Sequence, residues 1–204
     1  MEHFLGHFIY FLAMVILGID PGSITTGYAF LEKNPKGFSV LEYGTIHSPA
    51  SKSLEDRLLQ IITKLESLLD QYRPDALAME GVFFAKNAKS ALVLGHIRGA
   101  VLVACRKRGM SFDEYPPKVV KQSVTGDGAA SKEQVAHMVF AQLGIQGSDL
   151  PLDASDALAI AWTHGNPPPL TAALKKRPTV RKKKASKCGL VYQITIYKSC
   201  LYFV

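Results

Sequence analysis

Two short apolar segments of this sequence each end in a lone carboxylate, and this feature constrains the fold more than any other. Residues 15–19 (Val-Ile-Leu-Gly-Ile) lead directly into Asp20, and residues 76–80 (ALAME) end in Glu80. A short continuous apolar run is typical of a strand that is buried on both faces of a sheet. In open α/β sheets, ligands bind beyond the carboxyl ends of such strands. The sequence therefore predicts a sheet with Asp20 and Glu80 at its ligand-binding edge.

The other segments alternate between strand and helix patterns. Three further segments have the composition of strands: residues 26–32, 38–46 and 111–117, with a turn at 34–37. Four segments have the periodicity or the capping residues of helices: one from Ser53 to the RPD at 73–75, one over about 86–107, one from near Ser131 and one from near Asp153. Elements in this order predict a mixed five-stranded α/β sheet with helices on both faces.

The predicted helix over about 86–107 is apolar on almost every side. A helix with this pattern must be covered on two sides. The sheet covers one side, and either a partner subunit or the rest of the same chain covers the other. A homodimer is the favoured interpretation, and a fully internal helix is the alternative.

Two further acids, Asp153 and Asp156, are three residues apart, which places both carboxylates on one face of the last predicted helix. The body of that helix is apolar, so it must pack on the sheet and carry its acidic turn towards the strand ends. Four carboxylates at one place repel each other, and a hard divalent cation such as Mg²⁺ relieves the repulsion. Two such ions can activate a water and stabilise the leaving oxygen of a phosphodiester.

A plainer interpretation of the same acids remains open at this point. Asp20 alone fits a turn residue, and Asp153 alone is a good helix N-cap. Spacing does not decide between a metal centre and these local roles.

The chain of 204 residues is expected to hold one domain, over residues 14–166. Residues 1–13 are interpreted as an N-terminal extension; they lack the basic start and the cleavage site of a signal peptide, and no membrane partner is expected. Residues 167–204 are interpreted as a basic, flexible tail, because the net charge is +7 and no Asp or Glu follows Asp156. The three cysteines have no metal-binding spacing and are expected to be reduced thiols of a cytosolic protein.

From about residue 15 to residue 165 the sequence resembles the RuvC family of Holliday-junction resolvases, or crossover junction endodeoxyribonucleases. Four segments carry the resemblance: ILGIDPGSITTGY, MEGVFFAKNAKSALVLGHIRGA, VKQSVTGDGAASKEQV and DASDALAIAWTH. The resemblance implies an RNase H-like fold and a homodimer that makes paired nicks in four-way DNA junctions during recombination and repair. It implies Mg²⁺ as cofactor, two ions per site, with Mn²⁺ as a substitute. Catalytic and metal-binding roles transfer to the four acids already noted: Asp20, Glu80, Asp153 and Asp156.

The resemblance also implies DNA-facing roles for Phe83, Lys121 and Lys132. An aromatic side chain directly after Glu80 can stack on an unpaired base, although core packing is the alternative for Phe83. The two lysines flank a glycine-rich loop and can neutralise phosphates. The family further implies the RuvA–RuvB branch-migration complex as partner and the bacterial cytoplasm as location. The sequence departs from the family at Gly81, where a larger polar residue is common, and after about residue 187.

Two rival functions follow from the same residues. An actin-like ATPase or sugar kinase also has a phosphate loop of the GIDPG type, but such enzymes need two lobes and this chain is long enough for one. A non-catalytic scaffold that binds junctions, with structural acids, is the second rival.

Overall fold

The computed structural model describes residues 13–81, 88–146 and 151–167. Within these residues the chain forms five strands and five helices. In chain order they are β1 (Met14–Asp20), β2 (Thr25–Asn34), β3 (Gly37–His47), α1 (Leu54–Tyr72), β4 (Ala76–Glu80), α2 (Ala88–Arg106), β5 (Ser111–Tyr115), α3 (Pro117–Thr125), α4 (Lys132–Leu143) and α5 (Leu152–Gly165). No helix in the described ranges is both long and apolar enough to cross a membrane.

The five strands form one mixed sheet in the order β3-β2-β1-β4-β5. Strand β2 runs antiparallel to both β1 and β3, whereas β4 is parallel to β1 and β5 is parallel to β4. The carboxyl ends of β1, β4 and β5 therefore meet at one edge of the sheet. The predicted mixed five-stranded α/β sheet is confirmed.

Side chains alternate between two cores, one on each face of the sheet. On one face, Leu17 packs with the buried residues of α1 and α2. On the other, Ile16 and Ala78 pack with the apolar side of α5. By the same alternation, Asp20 and Glu80 stand on the α5 face, since each is an even number of residues from Ile16 or Ala78. Helices on both faces are thus confirmed, and the strand pattern aims both carboxylates at one helix.

Two predicted helix starts are confirmed by their caps. The Ser53 hydroxyl accepts a hydrogen bond from the Asp56 amide at 3.3 Å, at the start of α1. At the start of α4, the Ser131 hydroxyl accepts from the Gln134 amide, and the Gln134 side chain accepts from the Ser131 amide. These reciprocal bonds satisfy amides that a helix start leaves unpaired.

The structure corrects the segment that follows β5. The strand predicted over residues 111–117 ends at Tyr115, and Pro117 is the first residue of α3, a helix that the sequence analysis did not predict. Proline suits a first helical position because its φ angle is helical and its missing N–H is not needed there. Gly126, with a φ of 79°, ends the helix in the left-handed conformation that favours glycine. The predicted turn at 34–37 is also shorter, because β2 runs to Asn34 and β3 begins at Gly37.

The predicted extension at 1–13 and the predicted tail at 167–204 lie outside the described residues except for their inner ends, Ala13 and Pro167. The start of the helix predicted over 86–107 likewise falls partly outside, and α2 is described from Ala88.

Candidate metal centre

Three aspartates from two separate elements meet at the carboxyl edge of the sheet. Asp20 is the last residue of β1, and Asp153 and Asp156 lie in the first turns of α5. One carboxylate oxygen from each lies within 4.8 Å of the other two. All three side chains are half-buried. The expected convergence of strand-end and helix acids is therefore present for these three.

Two glycines in the sheet allow α5 to lie directly on the strands. Gly27 pairs with Asp20 across the β1–β2 ladder. A Cβ atom at Gly27 would lie 1.9 Å from the carbonyl oxygen of Asp153, and one at Gly18 would lie 2.2 Å from that of Ala157. Such separations are far below contact distance, so only glycine fits at either position. The acidic turn reaches Asp20 because the backbone of α5 touches the backbone of the sheet.

The capping alternative for Asp153 is wrong. Helix α5 begins at Leu152, its N-cap residue is Pro151, and no side chain forms a cap hydrogen bond there. Asp153 is inside the first turn, where a carboxylate is favoured by the helix dipole but does not close the helix end.

The clearest electrostatic feature of the group is the raised pKa of Asp20. Burial, and after it the negative charges of Asp156, Glu80 and Asp153, raise the pKa of Asp20 from 3.8 to about 7, whereas the positive charge of Lys132 opposes the shift. A carboxyl group with this pKa is about half protonated near neutral pH. The cause is the expected one, since close like charges in a partly buried site disfavour the ionised form.

Glu80 stands next to this group rather than inside it. Among the described residues, the group whose carboxylate oxygens all lie within 4.8 Å of one another contains the three aspartates and not Glu80. Its charge nevertheless acts on Asp20. Burial and the charge of Asp156 raise the pKa of Glu80, while Lys132, Lys121 and Arg98 oppose the rise. Its role as a metal ligand stays a prediction.

This donor set fits a hard divalent cation. Each of the three aspartates offers a carboxylate oxygen, which is the ligand that Mg²⁺ prefers. The raised pKa of Asp20 reflects burial first and then the charges of Asp156, Glu80 and Asp153, and a bound cation would favour the ionised carboxylate against both.

The two lysines singled out in the sequence lie beside the centre in different ways. The ammonium of Lys132 is 2.7 Å from Oδ2 of Asp156, and its side chain is 60% exposed. The ammonium of Lys121 donates to the carbonyl oxygen of Ala130 at 2.6 Å. Lys121 lies in α3, so its hydrogen bond to Ala130 links this helix to the start of α4. Phe83 falls in residues 82–87, outside the described residues.

The sequence analysis missed one residue at this edge. Arg98, in the middle of α2, donates from Nη1 to the carbonyl oxygen of Glu80 at 2.7 Å. Its Nη2 also forms an ion pair with Glu114 in β5. A signal was present, since Arg98 is the one charged residue in the apolar stretch from Leu92 to Cys105.

Comparison with known proteins places these features in a family. The family described as "Crossover junction endodeoxyribonuclease RuvC" matches residues 16–164. A protein of that name from Ruminiclostridium cellulolyticum is 47% identical over 153 residues, which cover 75% of this chain and 92% of the relative. Another from Syntrophomonas wolfei is 40% identical over 171 residues, covering 84% of this chain and 99% of the relative.

Solved structures agree with the sequence relatives. The structure of Thermus thermophilus RuvC in complex with a Holliday junction substrate matches with a TM-score of 0.70 and 35% identity, covering 75% of this chain and 93% of that chain. The yeast mitochondrial Holliday junction resolvase Ydc2 has the same fold, with a TM-score of 0.55 at 14% identity. The RNase H-like resolvase fold expected from the resemblance is confirmed.

Proposed function

Because this chain belongs to the RuvC family of crossover junction endodeoxyribonucleases, we propose that it resolves Holliday junctions by Mg²⁺-dependent hydrolysis of two opposed phosphodiester bonds. Its cellular role is in homologous recombination and DNA repair. The observation that carries the proposal is the group formed by Asp20, Asp153 and Asp156, whose carboxylate oxygens lie within 4.8 Å of one another at the open edge of the sheet.

Four carboxylates have assigned roles in this proposal. Asp20, Asp153 and Asp156 hold divalent cations, and Glu80 completes the set from the end of β4. Two Mg²⁺ ions, or Mn²⁺ in their place, activate a water nucleophile and stabilise the leaving oxygen when bound at such a site. The protein supplies rigidity: Asp20 directly follows the part of β1 that is paired on both sides and itself pairs with Gly27, and the close contact of α5 with Gly27 sets the position of Asp153.

Positive side chains next to the acids are proposed to receive the DNA backbone. Lys132 is exposed enough to reach a phosphate once a cation replaces it at Asp156. Lys121 supports the same surface by holding the carbonyl of Ala130. Phe83 is proposed to stack on an unpaired base at the crossover, on the basis of its position three residues after Glu80.

A homodimer is proposed through the outer face of α2. Leu92 and Val103 are 64% and 58% exposed on this helix, so the alternative of a fully internal helix does not fit. Gly95 and Gly99 lie between them on the same side, and a Cβ at either position would meet nothing within 4 Å. The result is a mostly apolar stripe with a flat centre, interrupted by the exposed His96, onto which the same helix of a second copy can pack closely. A two-fold axis there gives two sites, one for each of two opposed strands.

The family resemblance alone supports two further assignments. We propose that the RuvA–RuvB complex delivers the junction, and that the protein acts in the bacterial cytoplasm. Residues 14–166 are proposed to suffice for catalysis, with 1–13 and 167–204 as extensions.

A nicking assay tests the proposed function directly. Asp20→Asn is expected to bind a synthetic four-way junction with unchanged affinity, while the rate of nicking in Mg²⁺ falls about a thousandfold or more. Wild-type protein should cut the junction and spare the linear duplex, and a chelator should stop the reaction.

Asp75→Asn is the matched control. Asp75 directly precedes the first residue of β4, at the end of the strand away from Glu80. Its carboxylate accepts a hydrogen bond from the Val15 amide at 2.8 Å. An amide oxygen can accept the same bond, so nicking should stay at the wild-type rate. Full activity of Asp20→Asn would remove Asp20 from the mechanism. Junction binding by wild-type protein without any metal-dependent nicking would favour the scaffold instead.

A further inference from the structure

Arg98 joins three elements behind the metal centre. Its side chain is 13% exposed and reaches from the middle of α2 to the ends of β4 and β5. One guanidinium nitrogen, Nη1, donates to the main-chain carbonyl of Glu80 at 2.7 Å. Another, Nη2, forms the ion pair with Glu114. A planar guanidinium can make both contacts at once because its donors point in fixed, divergent directions.

The contact matters because Glu80 lies where the sheet ladder stops on one side. The pairing of β4 with β1 ends at Met79, opposite Ile19. Beyond that point, among the described strands, β4 pairs with β5 alone, through the pairing of Glu80 with Tyr115 and the bond from the Gly81 amide to the Tyr115 carbonyl at 2.8 Å. The hydrogen bond from Arg98 is therefore a second, independent tether on the residue that carries the fourth carboxylate.

We propose that Arg98 is a positioning residue for the metal centre: it holds the main chain at Glu80 so that this carboxylate stays within reach of a cation bound by the three aspartates. The assignment rests on the proposed function, since the position of Glu80 matters for catalysis only if the carboxylates bind metal. Hydrogen bonds from charged donors are among the stronger ones in proteins, so a single such contact can restrain a strand end. In this assignment Arg98 acts through the main chain of Glu80.

The decisive variant is Arg98→Gln, measured first by titrating Mn²⁺ into DNA-free protein and following the free ion by electron paramagnetic resonance. We expect Mn²⁺ affinity to fall about 10- to 100-fold, the effect typical of losing a group that orients a metal ligand. On a four-way junction, kcat should fall by a similar factor, while KM and the junction affinity measured in Ca²⁺ stay at wild-type values. Arg98→Lys keeps the charge but reaches one partner at a time, so it should recover part of the lost Mn²⁺ affinity.

Arg106→Gln is the matched control. Arg106 lies two turns further along α2. Its guanidinium also donates to a main-chain carbonyl, that of Met110, but at the end of the sheet opposite the metal centre. Its loss should leave Mn²⁺ affinity and kcat unchanged. If Arg98→Gln does not fold, Arg98→Lys alone provides the comparison.

Wild-type Mn²⁺ affinity in a folded Arg98 variant would overturn the assignment, as would an equal loss in Arg106→Gln, which would indicate a general effect of helix packing. The result is separable from the test of the proposed function. If Asp20→Asn abolishes nicking while Arg98→Gln does not affect it, only the role of Arg98 fails. If Asp20→Asn retains nicking, the proposed role of the acids as metal ligands fails first; if wild-type protein shows no metal-dependent nicking, the proposed function itself fails.

Discussion

The ammonium of Lys132 lies 2.7 Å from Oδ2 of Asp156, so the metal-free centre already contains one positive charge. Lys132 begins α4 and Asp156 belongs to α5, and the pair therefore links these two helices at the edge of the sheet. The same ammonium opposes the upward shift in the pKa of Asp20. A divalent cation that enters the centre competes with Lys132 for Asp156.

Removing this charge should strengthen metal binding. Lys132→Gln is expected to raise Mn²⁺ affinity of the DNA-free protein about two- to fivefold, because a partly exposed ion pair contributes about 1 kcal/mol or less. Junction affinity should fall, with a smaller dependence on salt concentration, since one phosphate contact is lost. Mn²⁺ titration and junction binding at several salt concentrations measure the two effects.

Lys64→Gln is the control for this variant, because Lys64 is an exposed residue of α1, on the other face of the sheet. It should change neither affinity. A lower Mn²⁺ affinity in Lys132→Gln would contradict the competition between ammonium and cation.

The main features of the centre could be predicted from the sequence because they depend on local patterns. The apolar runs before Asp20 and Glu80 identify strand ends, and the spacing of Asp153 and Asp156 gives one helix face. What spacing cannot show is the distance between elements. Two features depend on tertiary packing: the contact of α5 with the glycines of the sheet, and the position of Glu80 beside the three aspartates.

Other features were missed for different reasons. Helix α3 has only nine residues, and its Pro117 and Gly126 were assigned to a strand end and a loop. Proline at the start and glycine just past the end would have identified it. The contact of Arg98 with Glu80 joins residues 18 positions apart through the fold, and no local pattern predicts it.

The metal-free protein should lose stability as the pH rises towards neutrality. Burial, together with the charges of the neighbouring acids, raises the pKa of Asp20 from 3.8 to about 7. Between these values the folded state keeps a proton that the unfolded state has released, so the free energy of unfolding falls with pH and levels off above about pH 7. The loss is at most roughly 4 kcal/mol, at about 1.4 kcal/mol for each pKa unit.

Urea denaturation in a chelator, near pH 5 and near pH 8, measures this loss. Asp20→Asn should remove most of the difference and should be more stable than wild type near pH 8. An equal pH dependence in both proteins would show that Asp20 is not the group responsible.

The close packing of α5 on the sheet should not tolerate an added methyl group at Gly27. In Gly27→Ala the new Cβ would lie 1.9 Å from the Asp153 carbonyl oxygen, so the start of α5 must move away from Asp20. We expect a loss of about 1–3 kcal/mol in stability, as for overpacked cores, together with a loss of Mn²⁺ affinity. Denaturation and Mn²⁺ titration check both.

Gly44→Ala is the comparison, because the added methyl would meet the hydroxyl end of the Tyr28 side chain at 2.9 Å rather than a helix backbone. It should keep wild-type Mn²⁺ affinity. Unchanged Mn²⁺ affinity in Gly27→Ala would show that close contact at this point does not position the acids.

The basic tail should be dispensable for cutting. Two main-chain carbonyls near the end of the described residues accept hydrogen bonds from the rest of the domain. The Gly165 carbonyl accepts from the Lys33 ammonium, and the Asn166 carbonyl accepts from the Ser123 hydroxyl at 3.1 Å. Truncation after Asn166 keeps both contacts, so the nicking rate at saturating junction should equal that of the full chain. Junction affinity should fall at low salt if the lysines and arginines beyond residue 174 touch DNA. A lost nicking rate would place residues after 166 in the catalytic unit.

Charge placed on the outer face of α2 should separate the proposed dimer. Leu92→Glu combined with Val103→Glu puts like charges at both ends of the exposed apolar stripe, where two copies of the helix would face each other. Sedimentation should then report a monomer, and junctions should receive single, uncoupled nicks in place of paired ones. Leu41→Glu, an exposed leucine of the edge strand β3, is the control and should sediment as wild type. A dimer that persists in the double variant would assign its interface to another surface.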